Sequence, residues 1–315
     1  MPTLQEQVVA AEARIRSHIR KTHLEPSPRL SQGESTAYLK LECLQLTRSF
    51  KLRGALNKLL ALPEESRAKG IVTASTGNHG LAVAYGLQLL GMPGEIVLPE
   101  TASPKKVALL EQYDVKLVFH GQDSAEAETF ARNAADVAGQ TFISPYNDFD
   151  VVAGQGTIGI ELLNQLPDLN SVFVPVGGGG LIGGIAGYLK AVKPDIHVYG
   201  CIPENSPVMH ECIEAGRIVA GTVLPTLSDG TAGGVEDESI TFKLCQDHVD
   251  SWVRVSEEEI QAGMKWVFDH HGLVVEGAAG VSVAAFQKRG GKAGVSAIVL
   301  CGGNVDIEKF KQLVV

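Results

Sequence analysis

Four consecutive glycines, Gly177 to Gly180, stand between an apolar run, Val172-Phe173-Val174-Pro175-Val176, and a second apolar stretch that reaches Val192. A strand, a tight loop and a helix are the simplest reading of that order. Strands that enter helices through short loops imply parallel sheets, so this segment constrains the class of fold. A turn alone needs one or two glycines, and each further one costs backbone entropy on folding. The surplus points to a nest of backbone N–H groups at a helix N-terminus, which is a phosphate cradle. Which phosphate stays open at this level. The Gly-Lys-Ser/Thr ending of a nucleotide-triphosphate loop is missing. Gly178, Gly180 and Gly183 satisfy the dinucleotide spacing G-x-G-x-x-G, yet that reading wants an acid about 20 residues on. The place holds Gly200-Cys201-Ile202, with Glu204 beyond a proline.

The remaining pattern predicts an α/β fold. Residues 3–20 read as an amphipathic helix with Val8, Ala11, Ile15 and Ile19 on one face. Strands are expected at 38–42, 70–75, 95–99, 115–119, 172–176, 197–201 and 296–300. Helices are expected after Lys51 and at 79–90, 104–112, 124–138, 155–166, 256–270 and 278–287. Thr141 to Asn147 reads as a return to a different sheet, and residues 203–250 read as irregular.

Composition excludes several functions. A net charge of −9 lacks the basic face that nucleic acid requires. No run approaches the ~20 apolar residues of a membrane span, and residues 1–22 carry charges rather than the apolar core of a signal peptide. The five cysteines, 43, 201, 212, 245 and 301, form no CxxC pair. A cytoplasmic protein is expected.

Three further stretches carry chemistry. Ser49-Phe50-Lys51-Leu52-Arg53-Gly54-Ala55 sets one lysine at the mouth of an amphipathic helix, with Ser49 as its expected N-cap and Leu56, Leu59 and Leu60 at helical spacing. Most such lysines are solvated surface residues. In Ser75-Thr76-Gly77-Asn78-His79-Gly80, loop N–H groups and the Ser75 and Thr76 hydroxyls are suited to a substrate carboxylate at a helix start. Asn78 can donate to a phenolate-like oxygen, while His79 reads as structural rather than as a proton carrier. The last stretch is Cys301-Gly302-Gly303-Asn304. An amine nucleophile, a carboxylate cradle, a phosphate cradle and a partner for a heteroaromatic nitrogen together describe a pyridoxal phosphate enzyme.

On these four motifs, in this order, the sequence resembles the fold type II (tryptophan synthase β-like) pyridoxal phosphate enzymes over nearly its whole length. The likeness is to the branch of serine/threonine dehydratases and serine racemase. It implies two domains, each with a mainly parallel twisted sheet flanked by helices: a large one (1–48 and 144–315) and a smaller, mobile one (49–143). Pyridoxal 5'-phosphate lies between them. By resemblance, Lys51 carries the Schiff base, Phe50 packs on the ring and Asn78 contacts the ring hydroxyl. Gly177, Gly178, Gly179, Gly180 and Leu181 hold the phosphate. Gly230 lies against the opposite ring face, Glu276 lines the ring edge, and Cys301, where many members have serine, faces the pyridine nitrogen. Ser75, Thr76, Gly77, Asn78 and His79 form the substrate loop, with Lys51 and Thr76 as the catalytic pair. A homodimer is also implied.

Two positions depart from the family pattern. Metal-dependent relatives carry a glutamate and an aspartate where this chain has Ile202 and Val208, and Glu204 is shifted, so no metal site is expected. Thr76 replaces the serine of racemases and the alanine of many dehydratases. The expected reaction is β-elimination of a β-hydroxy amino acid such as L-threonine or L-serine, giving a 2-oxo acid and ammonia. Alternatives are an amino-acid racemase, a β-replacing synthase and, from the glycine spacing alone, a dinucleotide-dependent oxidoreductase. A further likeness, carried by Pro203-Glu204-Asn205-Ser206-Pro207, is to dehydratase-like proteins of hydroxyectoine breakdown. It adds a hydroxyectoine-derived compound, beside 3-hydroxyaspartate, to the candidate substrates.

Overall fold

A computed structural model describes residues 2–31, 34–290 and 293–314. The chain opens with α1 (Leu4–Ile15), which starts at a capping box: the Thr3 hydroxyl accepts from the Glu6 N–H, and the Glu6 carboxylate accepts from the Thr3 N–H. β1 (Leu24–Pro26), β2 (Ser35–Lys40) and α2 (Lys51–Ala61) follow. The next segment alternates: α3 (Glu64–Lys69), β3 (Ile71–Ala74), α4 (Asn78–Leu90), β4 (Gly94–Leu98), α5 (Pro104–Leu110), β5 (Lys116–Phe119), α6 (Ser124–Ala138) and β6 (Thr141–Phe142). Then come α7 (Phe149–Gln165), β7 (Leu169–Pro175), α8 (Gly180–Val192), β8 (His197–Pro203), α9 (Val208–Ala215) and α10 (Ile240–His248). β9 (Ser251–Val255), α11 (Glu257–His271), α12 (Gly277–Arg289), β10 (Gly294–Val299) and α13 (Ile307–Val314) complete the described chain.

The strands form two sheets, one of six strands in the order β1-β2-β10-β7-β8-β9 and one of four in the order β5-β4-β3-β6. Among the described residues, β1–β2 is the one antiparallel strand pair. The α/β class with mainly parallel sheets flanked by helices is therefore as the sequence predicts. Helices α8 and α12 both pack on β7 in the larger sheet, and α4 and α6 both pack on β3 and β4 in the smaller one. Phe173 stacks on Tyr199 with centroids 4.2 Å apart and meets the Phe286 ring edge-on at 5.1 Å, which anchors the larger core.

Helix α7 brings the two halves together. A Cβ at Gly154 would lie 2.5 Å from the Arg53 carbonyl, and one at Gly184 would lie 2.3 Å from the Val152 carbonyl. The lysine-bearing α2 and the glycine-rich α8 thus meet α7 at backbone contact, which no larger side chain permits.

The structure differs from the sequence reading in several places, among them the short elements β1, α3 and α13. Thr141 and Phe142 pair with Ile71 and Val72, so they close the smaller sheet instead of returning to another. Helix α7 begins at Phe149, earlier than its apolar spacing suggests, because the Asp148 carboxylate caps the N–H groups of Asp150 and Val151. The stretch 203–250 contains α9 and α10. Strand β9 follows it as the edge of the larger sheet.

Candidate active site

The C-terminal ends of both sheets converge on one cleft. α2 begins there because Ser49 bridges to Gly302 and the Phe50 N–H donates to the Cys301 carbonyl at 3.0 Å, which hangs the helix on the end of β10. Ser49 is not the formal N-cap; Phe50 holds that place without a side-chain bond, and the Ser49 hydroxyl accepts weakly from the Lys51 N–H at 3.3 Å. Lys51 Nζ lies 5.2 Å from the centroid of the Phe50 ring and donates to the Pro145 carbonyl at 2.8 Å. Among the described residues no carboxylate forms an ion pair with it. Burial lowers its pKa to about 8, opposed by the nearby Cys301 and Glu276. An amine so placed is readily available as a free base, which is the nucleophilic form.

Glu276 faces this amine across the cleft. Burial raises its carboxyl to about 7, while the Asn78 amide, donating at 2.8 and 3.0 Å, pulls the other way. A Cβ at Gly302 would sit 1.6 Å from Glu276 Oε1, so any larger residue there would displace this carboxylate. Gly230 lies beside the same carboxylate: its Cβ would be 3.9 Å from Glu276 Oε2 and 3.6 Å from the Ala278 Cβ. Burial pushes the Cys301 thiol well above its ordinary value, so it stays a neutral S–H.

The two cradles sit on opposite sheets. Gly77 ends the loop from β3, and nothing lies within 4 Å of where its Cβ would be, so the start of α4 faces open space. Ser75 and Thr76 are half-buried along this loop, and the Ser75 hydroxyl accepts from the Gly77 N–H at 3.2 Å. The His79 side chain is turned inward, with Nε2 donating to the Ile143 carbonyl at 3.1 Å. Burial, and then the Lys51 charge, lower its pKa to about 3, so it is a neutral ring and carries no proton between partners. Any contact it makes with a substrate is through its backbone.

On the larger sheet, Gly179 takes a left-handed φ of 83° as the N-cap of α8, with no side-chain cap on the helix. Cβ atoms at Gly178 and Gly177 would strike the Tyr146 ring at 2.6 Å and Thr231 Cα at 2.8 Å. The glycines are thus packed flat, with uncapped amides at the start of α8 beside Leu181. Tyr146 was not picked out by sequence reasoning. Its ring lies against Gly178 and its hydroxyl accepts from the Glu236 N–H at 2.9 Å. Its position directly after Ser144-Pro145, opposite the glycines, was the available signal.

Two exposed ion pairs and one half-buried pair cross the rim of the cleft. Lys105 meets Asp306 at 2.6 Å, Lys106 meets Asp229 at 3.4 Å, and Arg132 meets Glu236 at 3.0 Å. At the suspected metal positions Ile202 and Val208 are buried apolar residues, and Glu204 lies 3.6 Å from Lys288. Among the described residues no group of three or more His, Cys, Asp or Glu side chains is arranged to hold a metal.

This donor set fits pyridoxal phosphate. It combines an amine of lowered pKa, an uncapped glycine cradle for a phosphate, an amide donor and a neutral thiol on one cleft. When bound, the cofactor supplies the electron sink that acidifies the Cα–H of an amino acid.

Comparison with known proteins agrees. An L-threonine ammonia-lyase of Geobacter sulfurreducens is 39% identical over 308 residues, covering 96% of this chain and 76% of the relative. Maize serine racemase superposes with a TM-score of 0.93 at 29% identity, covering 99% of this chain and 97% of that one. The processed form of threonine deaminase isoform 2 of Solanum lycopersicum gives 0.92 at 32% identity, covering 98% and 92%. The model of the family described as pyridoxal-phosphate dependent enzyme matches residues 15–302, and the chain belongs to that family.

Proposed function

We propose that the protein is an ammonia-lyase that removes the β-hydroxyl of L-threonine or L-serine and releases a 2-oxo acid and ammonia. The observation that carries this reading is the Lys51 amine, unpaired with any carboxylate and lowered to about 8, beside the neutral Cys301 thiol. A neutral amine at that place takes the Cα proton. An uncharged thiol beside the ring nitrogen supplies no strong acid, which favours prompt loss of a β-leaving group over long-lived carbanion chemistry. The loop Ser75–His79 at the start of α4 binds the substrate carboxylate, and the amides of Gly177 to Leu181 hold the cofactor phosphate. Phe50, Asn78, Gly230 and Glu276 surround the ring. Relatives named for threonine deamination support this assignment.

A second reading, amino-acid racemisation, is supported by the likeness to maize serine racemase and by a hydroxyl at Thr76. The unit 49–143 is proposed to move against the rest, and the protein to be a cytoplasmic homodimer. Among the described residues no helix is long and apolar enough to cross a membrane.

Purified holoenzyme assayed for keto-acid release against L-threonine, L-serine, 3-hydroxyaspartate and hydroxyectoine-derived amino acids tests the reading. Rapid 2-oxo acid formation from threonine or serine is expected. A D-amino acid as the main product would replace it with the racemase reading.

A further inference from the structure

One amide at the cleft has no part in the reading above. Asn304, half-buried in the loop after β10, donates from Nδ2 to the Thr47 carbonyl at 2.8 Å and to Asn78 Oδ1 at 2.8 Å. Asn78 in turn donates from Nδ2 to Glu276 Oε1 at 2.8 Å and Oε2 at 3.0 Å.

The first acceptor fixes the direction of this chain. A backbone carbonyl only accepts, so the end of Asn304 that faces Thr47 is its NH2 group. The second hydrogen of that NH2 is satisfied only if Asn78 presents its oxygen. The NH2 of Asn78 is then turned toward Glu276 and the cleft. Reversing Asn304 sets oxygen against oxygen at Thr47, and reversing Asn78 sets NH2 against NH2 at Asn304. One combination of amide orientations satisfies every partner.

Tying down its own loop would need only the Thr47 contact. The bond to Asn78 does more, because Asn78 opens α4 on the smaller sheet while Asn304 follows β10 on the larger one. It therefore reaches across the cleft to a residue that faces the cofactor.

We propose that Asn304 is a positioning residue that holds the Asn78 amide with its NH2 toward the cofactor ring edge. This rests on the reading of Asn78 as a ring contact in the proposed lyase. Without Asn304, only the Glu276 carboxylate holds the Asn78 amide, and its orientation is no longer fixed from both ends.

Asn304→Asp replaces the donor with a carboxylate and reverses the preference at Asn78; Asn304→Ala only removes the constraint. In Asn304→Asp holoenzyme the absorption maximum of the bound cofactor is expected to shift, and kcat to fall on the order of 10- to 100-fold. In an Asn78→Ala background the same substitution should change neither quantity, because its effect passes through Asn78. A parent-like band with kcat within about two-fold of the parent overturns the proposal, as do effects of the two substitutions that simply multiply. If Asn304→Asp does not fold, Asn304→Ala enters the same cycle with the same criteria.

Cofactor-free protein supplies a separate readout. The side-chain NH2 signals of Asn78 in NMR spectra, identified by their loss in Asn78→Ala, should exchange with water faster in Asn304→Ala. Unchanged exchange overturns the proposal. A parent that binds no pyridoxal phosphate refutes the lyase reading alone and leaves this measurement to judge Asn304.

Discussion

Arg53 donates from Nε and Nη2 to the two carboxylate oxygens of Glu42, each at 2.8 Å, and neither side chain is exposed. Its Nη1 and Nη2 also reach Glu161 at 2.9 and 3.0 Å, and Lys40 Nζ meets Glu161 from the larger sheet at 2.5 Å. Arg53 lies two residues after Lys51, so this cluster clamps the start of α2 between β2 and α7. Arg53→Leu leaves two buried carboxylates short of their main partner and should cost about 3–5 kcal/mol. Arg53→Lys should also destabilise, since an ammonium cannot fork to both acids. Urea denaturation measures both; a loss below about 1 kcal/mol for Arg53→Leu would match a mere surface pair and contradict the clamp.

Lys51 should react as an amine of pKa about 8 rather than 10.5. In cofactor-free protein, labelling by trinitrobenzenesulfonate, followed by peptide mapping, should rise with pH to a midpoint near 8. A midpoint near the ordinary lysine value would show that Lys51 is solvated. In the holoenzyme, borohydride should fix the cofactor to Lys51, and Lys51→Ala should stay folded but take no covalent label. Label on another lysine would sink the assignment.

Glu276 gives a pH dependence of stability with a definite sign. Its folded pKa, about 7, lies above the ordinary 4.5 of a free glutamate, so between these values the native state holds a proton that the unfolded chain has released. Stability should therefore fall as pH rises through that window and level off above about 7, with Glu276 accounting for about 3 kcal/mol at most. Glu276→Gln should remove this slope. Parallel stability–pH curves for parent and variant would refute the shift.

Thr76 is the residue we propose to set the balance between elimination and racemisation. Racemisation needs an acid on the face of Cα opposite Lys51, whereas elimination needs no second base. The threonine hydroxyl is available, but its rotamer is stiffer than serine's and its methyl must be packed. Elimination is expected to outrun racemisation, with Thr76→Ala sparing the first and abolishing the second, and Thr76→Ser raising racemisation. Chiral chromatography beside a keto-acid assay measures both. Racemisation that persists unchanged in Thr76→Ala would remove Thr76 from the reaction.

What the sequence showed and what it hid divides along physical lines. The glycine loops and Lys51 were legible because strand–glycine–helix order is local, and the cleft forms where such loops meet. The Lys40–Glu42–Arg53–Glu161 cluster was not, because its four residues lie on separate elements and look like ordinary surface charges until the fold buries them. Helices α9 and α10 were hidden by prolines and turn-forming dipeptides: α9 is only eight residues and starts directly after Pro207. At Thr141-Phe142, two residues form a strand only because β3 offers an open edge. Asn304 stood in a recognised motif, yet its task depends on Asn78, more than 200 residues earlier in the chain.

The rim pairs Lys105–Asp306, Lys106–Asp229 and Arg132–Glu236 contrast with the Arg53 clamp. The exposed pairs of Lys105 and Lys106 contribute at most about 1 kcal/mol each and weaken as salt is added, and the half-buried Arg132–Glu236 pair is less screened. The contacts between the two sheets thus include both a buried clamp and weaker pairs at the rim. In the proposed movement of the unit 49–143, opening parts the rim pairs and spares the clamp, as a door turns on its hinge. Added salt is then expected to act on how often the door stands ajar, while the placement of Lys51, two residues from the clamp, stays the same.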